Sequence, residues 1–397
     1  MKKIIYLILF IFFSINPLFA VEEDIIFTPD KTIEIEKDLI EGEHEVILEQ
    51  PKLEEPENPY TKEALKGIIE KEYDLNSSDG MFKKQLYAEF KKGPIKSTQF
   101  HTHLIQTFDE TMDNDDKDFK YRASLLNLGL SGKFRSEKER YNFLFDLTPG
   151  VFDDYTHNFL LDAFIETKRL KNHTILFGTS RPQVGYEGGN SAKTIPFLTR
   201  SQSARNLSNA RKTGIKIDGT YKYVDYEIGG YSSDVRYHEF FPGVEGNVWV
   251  DIKPLANVSE KYGKLYLGGG VSHGERNSID FTVASSALRY EKDKFWLRAE
   301  YQHADGSNGG SGLTQKKAYG YNVTLAYRLT KKLEFLVRFD DFDSDKSKAH
   351  NNTREYTAGI NWYVLGQCAR LMLNYVFCEN EAKKDSQKIM LGMQLIL

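Results

Sequence analysis

Six basic side chains, Arg181, Lys193, Arg200, Arg205, Arg211 and Lys212, fall between positions 181 and 212, where the one carboxylate is Glu187. Guanidinium forks and ammonium groups match the oxygens of phosphate and carboxylate, so this spacing points to oxyanion binding rather than to bond making. Cations strung along a loop attract an anion at several weak points and let it leave, which is what conduction requires. The plainer alternative is an outward loop whose charges sit in solvent or on lipopolysaccharide. A connection of this length without regular structure is usually functional or disordered.

Other candidate chemistry is thinner. His101 and His103 share a strand face, but no carboxylate or cysteine at ligand spacing joins them to make a metal site. Asp340, Asp341, Asp343 and Asp345 crowd a turn before Lys346 without EF-hand spacing, so a solvated loop is the expected reading. The sequence contains no His-Glu-x-x-His, the arrangement that sets a catalytic zinc on a helix, and its Ser, His and Asp residues are those of an ordinary wet barrel. No enzyme, cofactor or metal is expected.

The elements that must position these residues are strands. From Tyr319 to Leu329, Tyr319, Tyr321, Val323, Leu325, Tyr327 and Leu329 alternate with small or polar residues, which puts an aromatic-ended apolar stripe on one face and a wettable stripe on the other. The pattern recurs in about sixteen segments from Ser97 to the C-terminus, an even number suited to a transmembrane barrel. Lipid-facing Phe295, Leu297, Ala299 and Tyr301 would oppose lumenal Arg298, Glu300 and Gln302. Leu333, Phe335, Val337 and Phe339 would oppose Glu334, Arg338 and Asp340, and Leu371, Leu373, Tyr375 and Phe377 would oppose Arg370 and Asn374. Trp249, Trp296 and Trp362 are candidates for aromatic girdles, although the phase of its strand turns Trp296 inward.

Composition agrees. Hydrophobic residues make up 40% of 397, aromatics 13%, and mean hydropathy is −0.51. No apolar run after the first twenty residues is long enough for a spanning helix, which excludes a helical membrane protein but leaves a barrel, whose lipid-facing residues are interleaved with polar ones. Residues 1–20 read as a cleaved export signal, with Lys2, Lys3, an apolar core and Ala20 before the cut. Residues 21–95 read as an acidic periplasmic arm. Its first forty residues carry about fourteen carboxylates against three lysines, and Leu65, Ile68 and Ile69 suggest a short helix near 61–73. The barrel takes 96–397. Cys368 and Cys378, ten residues apart on one extended segment, would sit roughly 33 Å apart and cannot pair.

Two stretches carry a family resemblance. Residues 161–219 hold Asp162, Ala163, Phe164, Ile165 and Glu166, then Gly178, Arg181 and Pro182, Phe197, Arg200 and Ser201, and Arg211, Gly214 and Ile215. Residues 359–377, GINWYVLGQCARLMLNYVF, follow near the end. In this order they resemble the phosphate-selective porin O and P family. Thr199-Arg200 departs from the Glu-Arg that often precedes the family's serine, and the expected lumen is mixed in sign.

The resemblance implies an all-β, sixteen-stranded outer-membrane barrel of Gram-negative type, usually a trimer. It would pass small anions such as phosphate through a constriction narrowed by infolded loops. Partners would be outer-membrane lipid, lipopolysaccharide and further copies of the chain, with no nucleic acid. Gly392, Leu395 and Leu397 resemble the C-terminal signal read by the outer-membrane assembly machinery, without its usual terminal aromatic. The competing expectation is a structural anchor, in which the acidic arm contacts the cell wall or a partner.

Overall fold

The structure, a computed structural model, describes residues 87–113, 117–148, 159–234, 241–309 and 312–396. The signal, the acidic arm before residue 87, the helix expected near 61–73 and Leu397 lie outside them. The strands are β1 (Tyr87–Glu89), β2 (Ile95–Asp113), β3 (Lys117–Phe134), β4 (Glu139–Asp146), β5 (Leu160–Thr167), β6 (His173–Ser180), β7 (Lys212–Thr220), β8 (Val224–Ser232) and β9 (Val244–Ile252). They continue with β10 (Lys264–Arg276), β11 (Ile279–Lys292), β12 (Phe295–Gly309), β13 (Gly312–Arg328), β14 (Leu333–Asp343), β15 (Asn352–Leu365), β16 (Ala369–Asn380) and β17 (Ser386–Ile396).

From β2 onward each strand pairs antiparallel with the next, and β17 returns to β2 from Ser386 opposite Asp113 to Ile396 opposite His103. Sixteen strands therefore close into a barrel without a free edge. The three-residue β1 takes the part of β2 beyond Ile396, with Tyr87 opposite Gln99 and Glu89 opposite Ser97. Because the count is even, both barrel termini emerge at one end. That end carries mostly short turns, and the other holds the long connections, including 181–211 and 233–243. In outer-membrane barrels the short-turn end faces the periplasm.

The alternation read from the sequence sets the faces. On β12, Phe295 and Tyr301 are exposed outward while Trp296, Glu300 and Gln302 are buried inward. On β14, Phe335 and Val337 point out and Glu334, Arg338 and Asp340 point in; on β16, Leu373 and Tyr375 oppose Arg370 and Asn374. Turn chemistry follows length: the two-residue link Asn277-Ser278 between β10 and β11 has positive φ at both positions, 52° and 62°, as a tight hairpin of that twist requires.

The tryptophan expectation holds for Trp362 alone, which is exposed outward. Trp249 and Trp296 are buried on the lumen side, because their strand phase turns them inward. Cys368 and Cys378 sit at opposite ends of the β16 segment, and no disulfide joins them.

Candidate functional site

Residues 181–211, between β6 and β7, run into the barrel. Their entry is set by Gly178, whose φ of +128° is open to glycine and where a Cβ would collide with the Ala163 carbonyl. Three short helical turns follow, α1 (Tyr186–Gly189), a 3₁₀ turn (Ala192–Thr194) and a π turn (Ala204–Ser208).

The loop is seated by polar groups projecting from the wall. The Gln183 amide donates to Glu227 on β8 at 2.7 Å, and Asn247 on β9 donates to the Gln183 carbonyl at 3.0 Å. Glu300 on β12 accepts from the backbone amides of Tyr186 and Glu187 at 2.7 and 3.0 Å, while Arg289 and Arg298 lie over the Tyr186 ring at 4.4 and 5.6 Å. Further along, Arg370 donates to the Ile195 carbonyl at 2.5 Å and Asn361 to that of Pro196 at 2.9 Å. Asn374 accepts from the Leu198 amide at 2.8 Å, Arg338 donates to the Thr199 carbonyl at 3.0 Å, and Asp340 accepts from the Gln202 amide at 2.7 Å. Backbone groups that a loop leaves unpaired are thus met by wall side chains.

Apolar contacts complete the seat. Val184 and Leu207 pack with Val283, Ala304, Ala318 and Phe342 of β11 to β14, and Phe197 packs with Trp296, Ala326 and Leu336. These wall residues occupy inward positions that a water-lined lumen would give to polar groups. Gly392 on β17 leaves room where a Cβ would meet the Leu198 side chain.

Glu300 carries the sharpest single test of this seat. Glu300→Ala leaves two amides without their acceptor, a cost of about 1–3 kcal/mol each where water cannot replace it. Hydrogen exchange at Tyr186 and Glu187 is expected to accelerate in the variant; unchanged exchange would mean that Glu300 does not hold the loop.

The six basic residues separate into distinct roles. Arg181 donates to the Gly188 carbonyl at 2.9 Å and to Asn209, and Arg200 donates to the carbonyls of Glu187 and Asn190, the latter at 2.7 Å. Both therefore brace the loop's own backbone. Arg205 pairs with Glu355 on β15 at 2.8 Å and Arg211 with Asp162 on β5 at 2.7 Å. Lys193 is part-exposed and close enough to His101 and His103 on β2 for its charge to act on both. Lys212 corrects the reading that placed it in the loop: it is the first residue of β7, sealed in an ion pair with Glu245.

Arg181, Arg200 and Arg211 are mutually close. Burial holds the Arg181 guanidinium well below its ordinary pKa, the neighbouring charges of Arg211 and Arg200 push the same way, and Asp162 opposes them. Burial lowers Arg200 to about 10, against the pull of Glu187. A guanidinium keeps its proton throughout the physiological range, so Arg181 is a part-buried cation whose hydrogen bonds go to neutral groups, Gly188 and Asn209.

The aspartate run does not gather round one point, because each carboxylate has its own partner. Asp340 takes Gln202, Asp341 pairs with Arg354 at 3.1 Å, Asp343 accepts from Asn351 at 3.0 Å, and Asp345 accepts from Ser347 at 2.6 Å. Sequence phase had marked Glu300, Arg338, Asp340, Arg370 and Asn374 as lumenal; that they hold a loop was not legible, since a strand pattern gives a face and not a partner.

Comparison with known proteins places this geometry. The family model described as phosphate-selective porin O and P matches residues 261–396. The resemblance is thus borne out over the last strands, including 359–377, while 161–219 falls outside the matched range. No curated protein matches the chain significantly.

Among solved structures, OmpF of Salmonella typhi, determined with daunomycin, aligns with a TM-score of 0.58 at 12% identity, over 76% of this chain and 98% of that one. An anion-selective porin from Comamonas acidovorans gives 0.56 at 11%, over 76% and 99%. A loop-deletion form of OmpT from Vibrio cholerae gives 0.54 at 12%, over 76% and 99%. At these identities the likeness is one of fold: a closed sixteen-stranded outer-membrane porin barrel.

Proposed function

We propose that this outer-membrane barrel of porin fold is a passive channel for small hydrophilic solutes, leaning toward oxyanions such as phosphate, with residues 181–211 forming its constriction. The observation that carries the reading is the seating of that loop inside the lumen, from β8 and β9 round to β17. Arg181, Lys193, Arg205 and Arg211 are the loop cations kept from full burial.

Where these cations have carboxylate company, the attraction on a passing ion is weak. Arg205 and Arg211 are paired with carboxylates, and Arg338 is 3.8 Å from both Glu187 and Glu355. A passing phosphate or carboxylate exchanges for a neighbouring carboxylate at each step instead of filling an empty cage, which favours throughput over retention. Arg181, which bonds a carbonyl and Asn209 instead of a carboxylate, is where an oxyanion would gain most.

A homotrimer fits the outer surface. Gln106 and Glu110 alternate with the inward residues of β2 and so share its outward face with Leu104 and Phe108. Polar groups on a lipid face are costly, and a second copy covering the β17, β2 and β3 sector would remove them from lipid.

Single-channel recording in KCl with orthophosphate added stepwise tests the oxyanion part. Block that saturates, and that weakens in Arg211→Ala, is the expected result. A conducting channel indifferent to phosphate would leave a general porin and defeat the oxyanion reading.

A further inference from the structure

We propose that the periplasmic rim of the barrel is a docking surface for anionic phospholipid headgroups of the adjoining membrane leaflet. The inference rests on the outer-membrane reading and is independent of what the lumen conducts. Its basis is a run of lysines on consecutive connections at this end: Lys171 between β5 and β6, Lys222 between β7 and β8, Lys261 between β9 and β10, Lys292 at the end of β11, and Lys331 and Lys332 between β13 and β14. All six are exposed.

Much of the countercharge at this end is committed elsewhere. Asp225 is held by Lys253 at 2.7 Å, Asp251 by Arg289 at 2.5 Å and Glu291 by Arg328 at 3.3 Å. Asp293 is an exposed carboxylate on these turns, and Glu260 directly precedes Lys261 on another. The long connections at the other end are mixed in sign, with Asp343, Asp345, Glu381 and Asp385 among Lys346, Lys348, Lys383 and Lys384. The cationic arc thus belongs to one rim.

Position relative to the apolar band selects lipid over a soluble anion. Lys292 pairs across the turn with outward Phe295, and Leu170, Tyr221, Tyr223, Tyr262, Tyr327 and Leu329 are exposed on or beside the same turns. Lys222 lies over the Tyr223 ring at 5.4 Å and Lys261 over Tyr262 at 5.0 Å. Aromatic rings at that level mark the depth of the headgroups. Ammonium groups beside them meet the phosphates of an anionic leaflet, each strengthening attachment about fivefold at moderate salt.

The test uses the folded full-length protein in bilayers of equal zwitterionic phosphatidylcholine and anionic phosphatidylglycerol, followed by native mass spectrometry of retained lipid. Preferential retention of phosphatidylglycerol is expected, roughly tenfold or more over the zwitterionic lipid. The preference should be lost in K171Q/K222Q/K292Q/K331Q/K332Q and kept in K346Q/K348Q/K383Q at the opposite end. Heat-modifiable gel mobility establishes that each variant remains a closed barrel. Equal retention of the two lipids by the native protein would overturn the proposal. So would an unchanged preference in the five-lysine variant, an equal loss in the opposite-end control, or removal of the retained lipid by orthophosphate, which would make this a site for free anions.

Discussion

Replacing residues 183–209 with a short glycine-serine linker is expected to raise single-channel conductance several-fold and to erase selectivity among small ions. The barrel should survive, because the loop is an insert between strands already in register. Ser180 stands directly opposite Lys212, and a hairpin closes over a pair like that with two to five residues. Removing the loop exposes the inward apolar seats around Phe342 and Leu336 to lumen water. Losing burial of a large side chain costs about 1.5–3 kcal/mol, so a lower unfolding temperature should accompany the wider pore. Conductance equal to that of the native chain would show that the loop does not limit flow.

The second large effect is electrostatic. Arg205→Glu combined with Arg211→Glu sets new carboxylates beside Glu355 and Asp162, where each arginine now makes an ion pair. Burial works against the Arg205 charge, but Glu355 more than restores it and its pKa is raised, so in the native chain that cation is firmly held. The double reversal replaces two attractive points on the lumen side of the loop with two repulsive ones. Charge at a narrow point dominates ion preference, so the reversal potential is expected to move toward cations, and Arg205→Lys with Arg211→Lys should stay near the native value. An unmoved reversal potential in the glutamate variant would place the selective site elsewhere, with the wall arginines as the next candidates.

Much of the barrel was legible because a period of two leaves a clear trace. The expected alternating segments fall on β2 to β17, and the face assignments on β12, β14 and β16 hold because a charged residue in lipid is costly enough to purge exceptions. The infolded loop was legible only as a length and a charge. Nothing local in Arg181 or Arg200 distinguishes a guanidinium that binds its own backbone from one that faces an ion, since the partners Gly188, Asn209 and Asn190 become neighbours only when the loop closes on itself.

The wall partners were half legible. Glu300 and Asp340 could be placed on the lumen side by phase, yet the amides that they accept come from positions more than a hundred residues away. Trp249 shows the opposite limit: its residue type suggested a girdle, but strand phase decided that it faces inward.

The measurement that bears most directly on the account is the reversal potential of the purified, folded protein in a planar bilayer across a KCl gradient. A sign showing chloride as the more permeant ion is the result predicted by a lumen narrowed by Lys193, Arg205 and Arg211. Potassium preference would contradict it. Absence of conductance from a correctly folded barrel would favour the anchor alternative over a channel.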